Sequence, residues 1–229
     1  MMKIIESRFS MHSTLPRPHQ RSAFSLVELL IVITIITVLA SLMGPTLNSA
    51  LRGTALTQAT DKVIGVLSLA HQTALTKAQT VEVRFYSYVD TETPGDTGQG
   101  HAIQALTIDD SGNATPLMKA QTLPQSVVMT TNAFNGQSAS TLLGLTNSSS
   151  TNSIKIPRGG TNYTYAGFQF YRSGATSLAN SSQTTNTWSV TLVNAADLLG
   201  GRGSTLPLNY TTVVVDPFNG SLKTYRPSL

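Results

Sequence analysis

A predominantly apolar run of twenty residues constrains this chain more than any other feature. It reads FSLVELLIVITIITVLASLM over residues 24–43, and the carboxylate of Glu28 is its only charge. A helix of this length, at about 1.5 Å per residue, crosses about 30 Å of hydrocarbon. The preceding stretch is polar and basic, and basic flanks stay on the cytoplasmic side of a membrane. We therefore expect a single span with a cytoplasmic amino terminus and the bulk of the chain on the other side.

Several interpretations of this run differ in what they say about Glu28. A plain transmembrane anchor leaves the carboxylate unexplained, although a charge at the bilayer centre costs about 2.5–3.5 kcal/mol. A secretory signal peptide has a shorter apolar region and a small-residue cleavage site, for which Val38-Leu39-Ala40 is the candidate. In a further interpretation the carboxylate takes up a proton or pairs with a cation inside the membrane, which accounts for its presence.

The residues around Glu28 resemble a known processing signature. The segment Ala23-Phe24-Ser25-Leu26-Val27-Glu28-Leu29-Leu30 is similar to the cleavage and methylation motif of type IV pilins and type II secretion pseudopilins. The resemblance implies that a prepilin peptidase cuts between Ala23 and Phe24, methylates the new amino group and leaves the apolar segment attached. The family prefers glycine before the cut, where this chain has Ala23, and we expect this departure to slow the cleavage.

The same resemblance implies a role for Glu28, partners and a location. The carboxylate would meet the new amino group of Phe24 on a neighbouring subunit; the alternative is an incidental side chain that reaches the membrane interface. The implied partners are prepilin peptidase, other pilin or pseudopilin subunits and an inner-membrane assembly platform. The implied location is the bacterial inner membrane, with a carboxy-terminal domain in the periplasm or in an extracellular filament. Gly44 and Pro45 lie where many of these proteins carry a helix-weakening proline.

Beyond residue 43 the pattern changes from uniformly apolar to amphipathic. Apolar residues recur every three or four positions, which predicts one stripe of a helix that ends near residue 78. Glycine weakens a helix and proline removes a backbone donor, so we predict that this helix bends or melts at Gly44 and Pro45. The predicted stripe consists of Leu47, Leu51, Ala55, Ala59, Val63, Leu67, Ala70, Ala74 and Ala78.

Strand signals replace helix signals from residue 81 onward. Alternation and β-branched or aromatic residues predict strands over 81–86, 102–108, 116–123, 127–130, 163–171, 188–193, 210–216 and 221–225. The sequence Asp216-Pro217-Phe218-Asn219-Gly220 predicts the turn of a carboxy-terminal hairpin. Polar stretches over 91–100, 132–153 and 179–187 are predicted to be surface loops that add nothing to the core.

These signals together predict an α+β fold of the pilin type. A long amino-terminal helix, transmembrane and then amphipathic, packs on a domain of antiparallel β-sheet. The predicted organisation is a cytoplasmic leader over 1–23, a transmembrane assembly helix over 24–45, the amphipathic half of the helix over 46–78 and a β-rich periplasmic domain over 79–229. In outline the order of elements is similar to the H-type minor pseudopilins, and more weakly to the Verru/Chthon cassette protein D family.

Few residues offer chemistry. The chain has no cysteine, and none of its four histidines, His12, His19, His71 and His101, is spaced with another as a metal ligand. We therefore expect no catalytic residue, no metal and no cofactor. Asp109, Asp110 and Asn113 suit calcium in type, although an ordinary turn is the simpler interpretation. A loop with Asp90, Glu92 and Asp96 is predicted to be solvated. Core positions are predicted for Trp188, Tyr163, Tyr165, Phe168, Phe170 and Tyr171.

The distribution of charge argues against nucleic acid as a partner. Residues before Phe24 hold +3 of the net +4, from Lys3, Arg8, Arg17 and Arg21 against Glu6, which leaves +1 for the rest. We expect a structural, minor subunit of a type IV pilus-like or type II secretion pseudopilus filament, and no enzyme. The alternatives are a minor pilin for DNA uptake or adhesion, with Arg202, Lys223 and Arg226 as contacts, and a membrane-anchored or secreted enzyme.

Overall fold

A computed structural model describes residues 25–93, 95–134, 136–145, 155–159, 162–180, 187–199 and 205–227, with the side chains of 42–49, 180 and 199 excepted. The chain divides into two units on either side of the bond between Thr46 and Leu47. Helix α1 (Leu26–Lys77) passes through this boundary, and its two parts are described separately. An amino-terminal helix is followed by a domain of antiparallel β-sheet, so the predicted α+β class is confirmed.

The sheet of the second unit is antiparallel throughout its described strands. Its order is β11-β10-β9-β5-β2-β1-β8, and β3 and β4 pair with β2 along the edge that also meets β5. A separate hairpin joins β6 and β7, and a short helix α2 (Ala195–Leu199) follows β9. The strands are β1 (Thr80–Ser87), β2 (Gly100–Ile108), β3 (Ala114–Pro116), β4 (Gln121–Thr122), β5 (Val127–Met129), β6 (Ala133–Phe134), β7 (Gln137–Ser138), β8 (Thr164–Phe170), β9 (Trp188–Asn194), β10 (Tyr210–Val215) and β11 (Leu222–Tyr225).

The structure departs from the sequence predictions for one strand and for one long polar stretch of the domain. The strand predicted over 116–123 is interrupted, because the chain leaves the ladder after β3 and Met118 offers its carbonyl to Gln104 Nε2 at 2.8 Å. The stretch over 132–153, predicted as a loop without core residues, holds β6, β7 and a 3₁₀ helix (Leu142–Gly144) with two buried leucines. Hydroxyls before this helix accept hydrogen bonds from β9, with Thr191 N–H donating to Ser140 Oγ at 2.9 Å.

The second part of α1 buries one stripe against the sheet. The core includes Phe85, Ile103, Phe168, Leu192 and Val213 from the strands. Five residues of the predicted stripe are buried in it: Ala59, Val63, Leu67, Ala70 and Ala74.

The predicted stripe is wrong at its ends. Leu51 is 58% exposed, and Ala78 lies beyond the helix in a left-handed conformation with φ of 50°. Leu56 and Val66, absent from the predicted stripe, are buried. Steps of four residues turn a stripe by roughly 40° each on a helix of 3.6 residues per turn, so a run of such steps leaves the core side. The side chain of Leu47 lies outside the described residues.

Replacement of a single buried leucine tests the packing of α1 on the sheet. We expect Leu67→Ala to lower the free energy of unfolding by about 2–5 kcal/mol, because the buried side chain leaves a cavity. Leu69→Ala, at a position 40% exposed, is the matched control and should cost less than about 1 kcal/mol. Urea unfolding of the full chain in a non-ionic detergent, followed by the fluorescence of Trp188, measures both. Equal losses would contradict this packing.

Candidate processing and assembly site

Helix α1 begins at Leu26, close to the predicted cleavage position between Ala23 and Phe24. The N–H of Leu29 donates to the carbonyl of Ser25 at 3.1 Å, which closes the first turn. Glu28 lies within this turn and is exposed, and a helix amino terminus favours a carboxylate through its partial positive charge. Ala23 and Phe24, the predicted processing residues, lie outside the described residues. In the sequence Glu28 follows Phe24 by four residues.

The described side chains from Ser25 to Ser41 are all exposed. The apolar ones lie around the whole helix, with Leu30 at 53% and Ile33 at 50% exposure. Three hydroxyl groups within this stretch, those of Thr34, Thr37 and Ser41, donate to carbonyls one turn back at 2.7–2.9 Å. An apolar surface of this extent is a site for lipid or protein, and Glu28 carries its only charge.

The described part of α1 can be compared with the predicted membrane span. Within the part of the chain whose side chains are described, no helix has both the length and the hydropathy that a membrane crossing requires. The predicted span over 24–43 includes Phe24 and the side chains of residues 42 and 43, which lie outside that part. Helical structure continues through positions 44 and 45, whose side chains are likewise not described. The bend at Gly44 and Pro45 stays a prediction.

The acidic loop after β1 is not solvated as predicted. The Asp90 side chain is fully buried and lies 3.1 Å from Arg158 Nη1, and Asp96 is 3% exposed. His101 Nε2 donates to Asp96 Oδ2 at 2.8 Å, and the amide of Asp90 donates to the same oxygen. Of the three acidic side chains, that of Glu92 alone is exposed. These side chains fix the loop to the domain.

The Asp109 loop is an ordinary turn with both carboxylate oxygens occupied by donors. Oδ1 accepts from the amides of Ser111 and Asn113 at 3.0 and 2.7 Å, and Oδ2 accepts from Asn113 Nδ2 at 3.0 Å. These bonds, that of the Asn113 side chain first, hold the pKa of Asp109 below its usual range. Among the described residues, no group of three or more His, Asp or Glu side chains is placed to hold a metal ion.

The predicted core position of the aromatic residues is confirmed for four of them. Trp188, Phe168 and Phe170 are buried in the core between α1 and the sheet. Tyr163 is buried in a second cluster with Tyr86 and Tyr88, against which Tyr165 packs.

Two tyrosines of the second cluster, Tyr86 and Tyr88, have pKa values raised by burial. Burial raises the pKa of Tyr88 to about 12 and also raises the pKa of Tyr86. The Tyr86 hydroxyl donates to Gln104 Oε1 at 2.8 Å. Tyr171 is half-buried and belongs to neither cluster.

The three cations considered for DNA are not brought together by the described structure. Arg202 lies outside the described residues. Lys223 is exposed on β11, and Arg226 donates through Nη2 to Thr57 Oγ1 at 3.2 Å. Arg226 follows the end of β11 and contacts α1. Lys223 alternates along β11 with Leu222, which packs on the core beside α1, so Lys223 faces away from α1. The two side chains therefore do not form one basic surface.

Comparison with known proteins supports one class for the amino-terminal site. A family model described as the prokaryotic N-terminal methylation motif matches residues 18–44, a range that holds Ala23, Phe24, Glu28 and Gly44. The match supports the type IV pilin and pseudopilin class in general, which is structural rather than catalytic. Proteins with this motif are processed by prepilin peptidase and assemble with other pilins. No curated protein and no solved structure matches the chain. The likeness to H-type minor pseudopilins or to Verru/Chthon cassette protein D stays a prediction.

The buried ion pair, which sequence patterns missed, can be tested by removal of one charge. We expect Asp90→Asn to lower the free energy of unfolding by about 2–4 kcal/mol, because Arg158 then keeps a largely buried charge without a carboxylate. Glu92→Gln, in the same loop but exposed, is the matched control and should stay within about 0.5 kcal/mol. Urea unfolding measures both changes. An unchanged free energy of unfolding in Asp90→Asn would contradict the buried pairing.

Proposed function

We propose that the chain is a structural subunit, of the minor type, in a pilus-like or pseudopilus-like filament. It is inserted in the bacterial inner membrane, cut between Ala23 and Phe24 by prepilin peptidase and methylated on the new amino group. The supporting observation is the methylation motif at the start of an apolar helix surface that no described part of its own unit covers. Its carboxy-terminal domain lies in the periplasm or on the filament exterior.

The exposed apolar surface supports a role in lipid and in assembly. A leucine, isoleucine or valine side chain gains about 1.5–3 kcal/mol when it is fully buried. Eleven such side chains between Leu26 and Leu39 are each at least 46% exposed. Lipid covers them before assembly, and the same segments of neighbouring subunits cover them within the filament. The domain organisation that follows is a leader over 1–23, an assembly helix over 24–45, its amphipathic continuation over 46–78 and an external domain over 79–229.

Glu28 supplies the register of assembly in this proposal. A lone carboxylate in an apolar medium either takes up a proton or finds a cation. Cleavage before Phe24 creates such a cation four residues away in sequence, and the equivalent amino group of a neighbouring subunit is the partner that couples pairing to assembly. Gly44 and Pro45 give the helix a point at which it bends as subunits pack.

The mass of the mature protein from its own host tests the processing step. We expect loss of residues 1–23 and gain of one methyl group on Phe24. Ala23→Trp should leave the chain uncut, because a bulky side chain does not fit where the enzyme accepts alanine, whereas Ala40→Trp should be processed normally. Loss of every residue through Ala40, with cleavage blocked in Ala40→Trp, would contradict the proposal and support a signal peptide.

Neutralisation of Glu28 tests the assembly step. We expect Glu28→Gln to be cut and methylated normally but to enter filaments at least about tenfold less, because an amino group in the apolar bundle loses its counter-ion. Glu92→Gln, which neutralises an exposed acid of the second unit, is the control and should enter at the wild-type level. Quantitative immunoblots of purified filaments against the membrane pool give the ratio. Undiminished entry of Glu28→Gln would refute the pairing.

A further inference from the structure

The two edge strands of the sheet differ in whether a neighbouring segment of the chain bonds to their outer side. At β8, Phe170 forms a bridge with Thr176, and the N–H of Gln169 donates to Ser177 Oγ at 3.0 Å. The segment after β8 thus folds back along that edge. At the opposite edge, β11 is the last strand, and none of the described strands lies beyond it.

The register of the carboxy-terminal hairpin shows which backbone groups of β11 point outward. Asp216 N–H donates to the Ser221 carbonyl at 2.9 Å, and Val214 then lies opposite Lys223. Bonded and non-bonded pairs alternate along antiparallel strands. Lys223 and Tyr225 therefore bond to β10, whereas Leu222 and Thr224 direct their N–H and C=O groups away from the sheet.

The turn that leads into β11 is held by several hydrogen bonds and one close contact. Asp216 Oδ1 accepts the amides of Phe218 and Asn219 at 2.9 and 3.2 Å, and Thr176 Oγ1 donates to the Pro217 carbonyl at 2.7 Å. Gly220 takes a φ of 69° and packs so closely on Phe170 that a Cβ would lie 2.9 Å from that ring. The outward groups of β11 are therefore presented in a fixed geometry.

Cations flank this edge on both faces of the sheet. Arg226 lies on the side of α1, where it bonds Thr57, and Lys223 lies on the other side next to Tyr225, which is 55% exposed. The ion pairs found among the described residues include neither Lys223 nor Arg226. An open groove of about 940 Å³, lined by Gly53 and Thr57 of α1 together with Arg226 and Pro227, continues past the end of the strand.

We propose that β11 is a docking edge that takes up an extended, carboxylate-rich segment of another protein as an added strand. The outward groups of Leu222 and Thr224 would supply main-chain hydrogen bonds, and the cations on both faces would select acidic side chains. The groove gives room for residues of the segment beyond the strand.

A second copy of the chain fits this edge poorly. The antiparallel register that satisfies the outward groups of both copies pairs Leu222 with Thr224 of the other copy and sets Lys223 directly opposite itself. Like charges in directly opposed positions destabilise a strand pair. A lysine in an edge strand commonly prevents pairing with the same edge of another copy. The same lysine favours an acidic partner.

Fluorescence anisotropy with a synthetic peptide of alternating valine and glutamate, blocked at both ends, tests the docking edge on the full chain in a non-ionic detergent. We expect saturable binding that weakens with added salt and is absent for the matched valine and lysine peptide. Thr224→Pro removes one outward N–H and should weaken binding about tenfold, whereas Thr224→Val keeps this N–H and should change it less than about twofold. Binding should not depend on amino-terminal processing.

Reversal of one charge provides a test that does not require proline to be tolerated. Lys223→Glu should weaken binding of the glutamate peptide and strengthen binding of the lysine peptide, because the side chain at position 223 lies beside the added strand. Equal binding of the two peptides to the wild-type chain, or unchanged binding to Thr224→Pro with its fold intact by Trp188 fluorescence, would overturn the proposal. Self-association of the wild-type chain in the absence of any peptide binding would overturn the proposal as well. This holds whether Lys223→Glu abolishes the self-association or leaves it unchanged.

Discussion

A single carboxylate in an otherwise apolar helix surface is the constraint on which the proposed role depends. The hydroxyl groups of Thr34, Thr37 and Ser41 are satisfied by carbonyls of their own helix, so they enter lipid or a helix bundle at little cost. A carbonyl of the same helix cannot satisfy Glu28 in this way, because a charged carboxylate in an apolar medium requires a proton or a counter-ion. The methylation motif supports a cut that creates a cation at Phe24, and the need of Glu28 for that cation links processing to assembly.

The two parts of α1 meet different physical demands. Residues 25–41 expose apolar side chains on every side, which is typical of a segment whose partners lie outside the chain. From Leu56 to Ala74 one stripe is buried against the sheet, and polar residues such as Asp61 and Gln72 are exposed. The second part therefore gains its stability from its own domain, and the domain in turn has the largest part of its core along this stripe.

Local patterns in the sequence predicted the elements whose formation depends on local chemistry. Alternation of apolar and polar residues predicted β1, β2 and β9, and the turn sequence from Asp216 to Gly220 predicted the carboxy-terminal hairpin. Each of these signals lies within a few residues of the structure that it forms. The motif around Glu28 was visible for the same reason. Pairings across long separations were not predictable: Asp90 looked like a solvated acid because Arg158, its partner, is remote in sequence. Leu142 and Leu143 were hidden in a polar stretch, and their burial depends on Ser140 and Thr141 bonding to β9.

Identification of the counter-ion of Glu28 tests the central claim most directly. Filaments assembled from equal amounts of light and heavy-isotope copies can be treated with a hydrophobic carbodiimide, which joins a carboxylate to an adjacent amine without a spacer. Pairing between neighbours predicts that the Phe24 amino group of one copy is joined to Glu28 of another, seen by mass spectrometry as dimeric peptides with one light and one heavy half. Only cyclic peptides closed within one copy, or an unreacted amino group beside Glu28 in intact filaments, would contradict it.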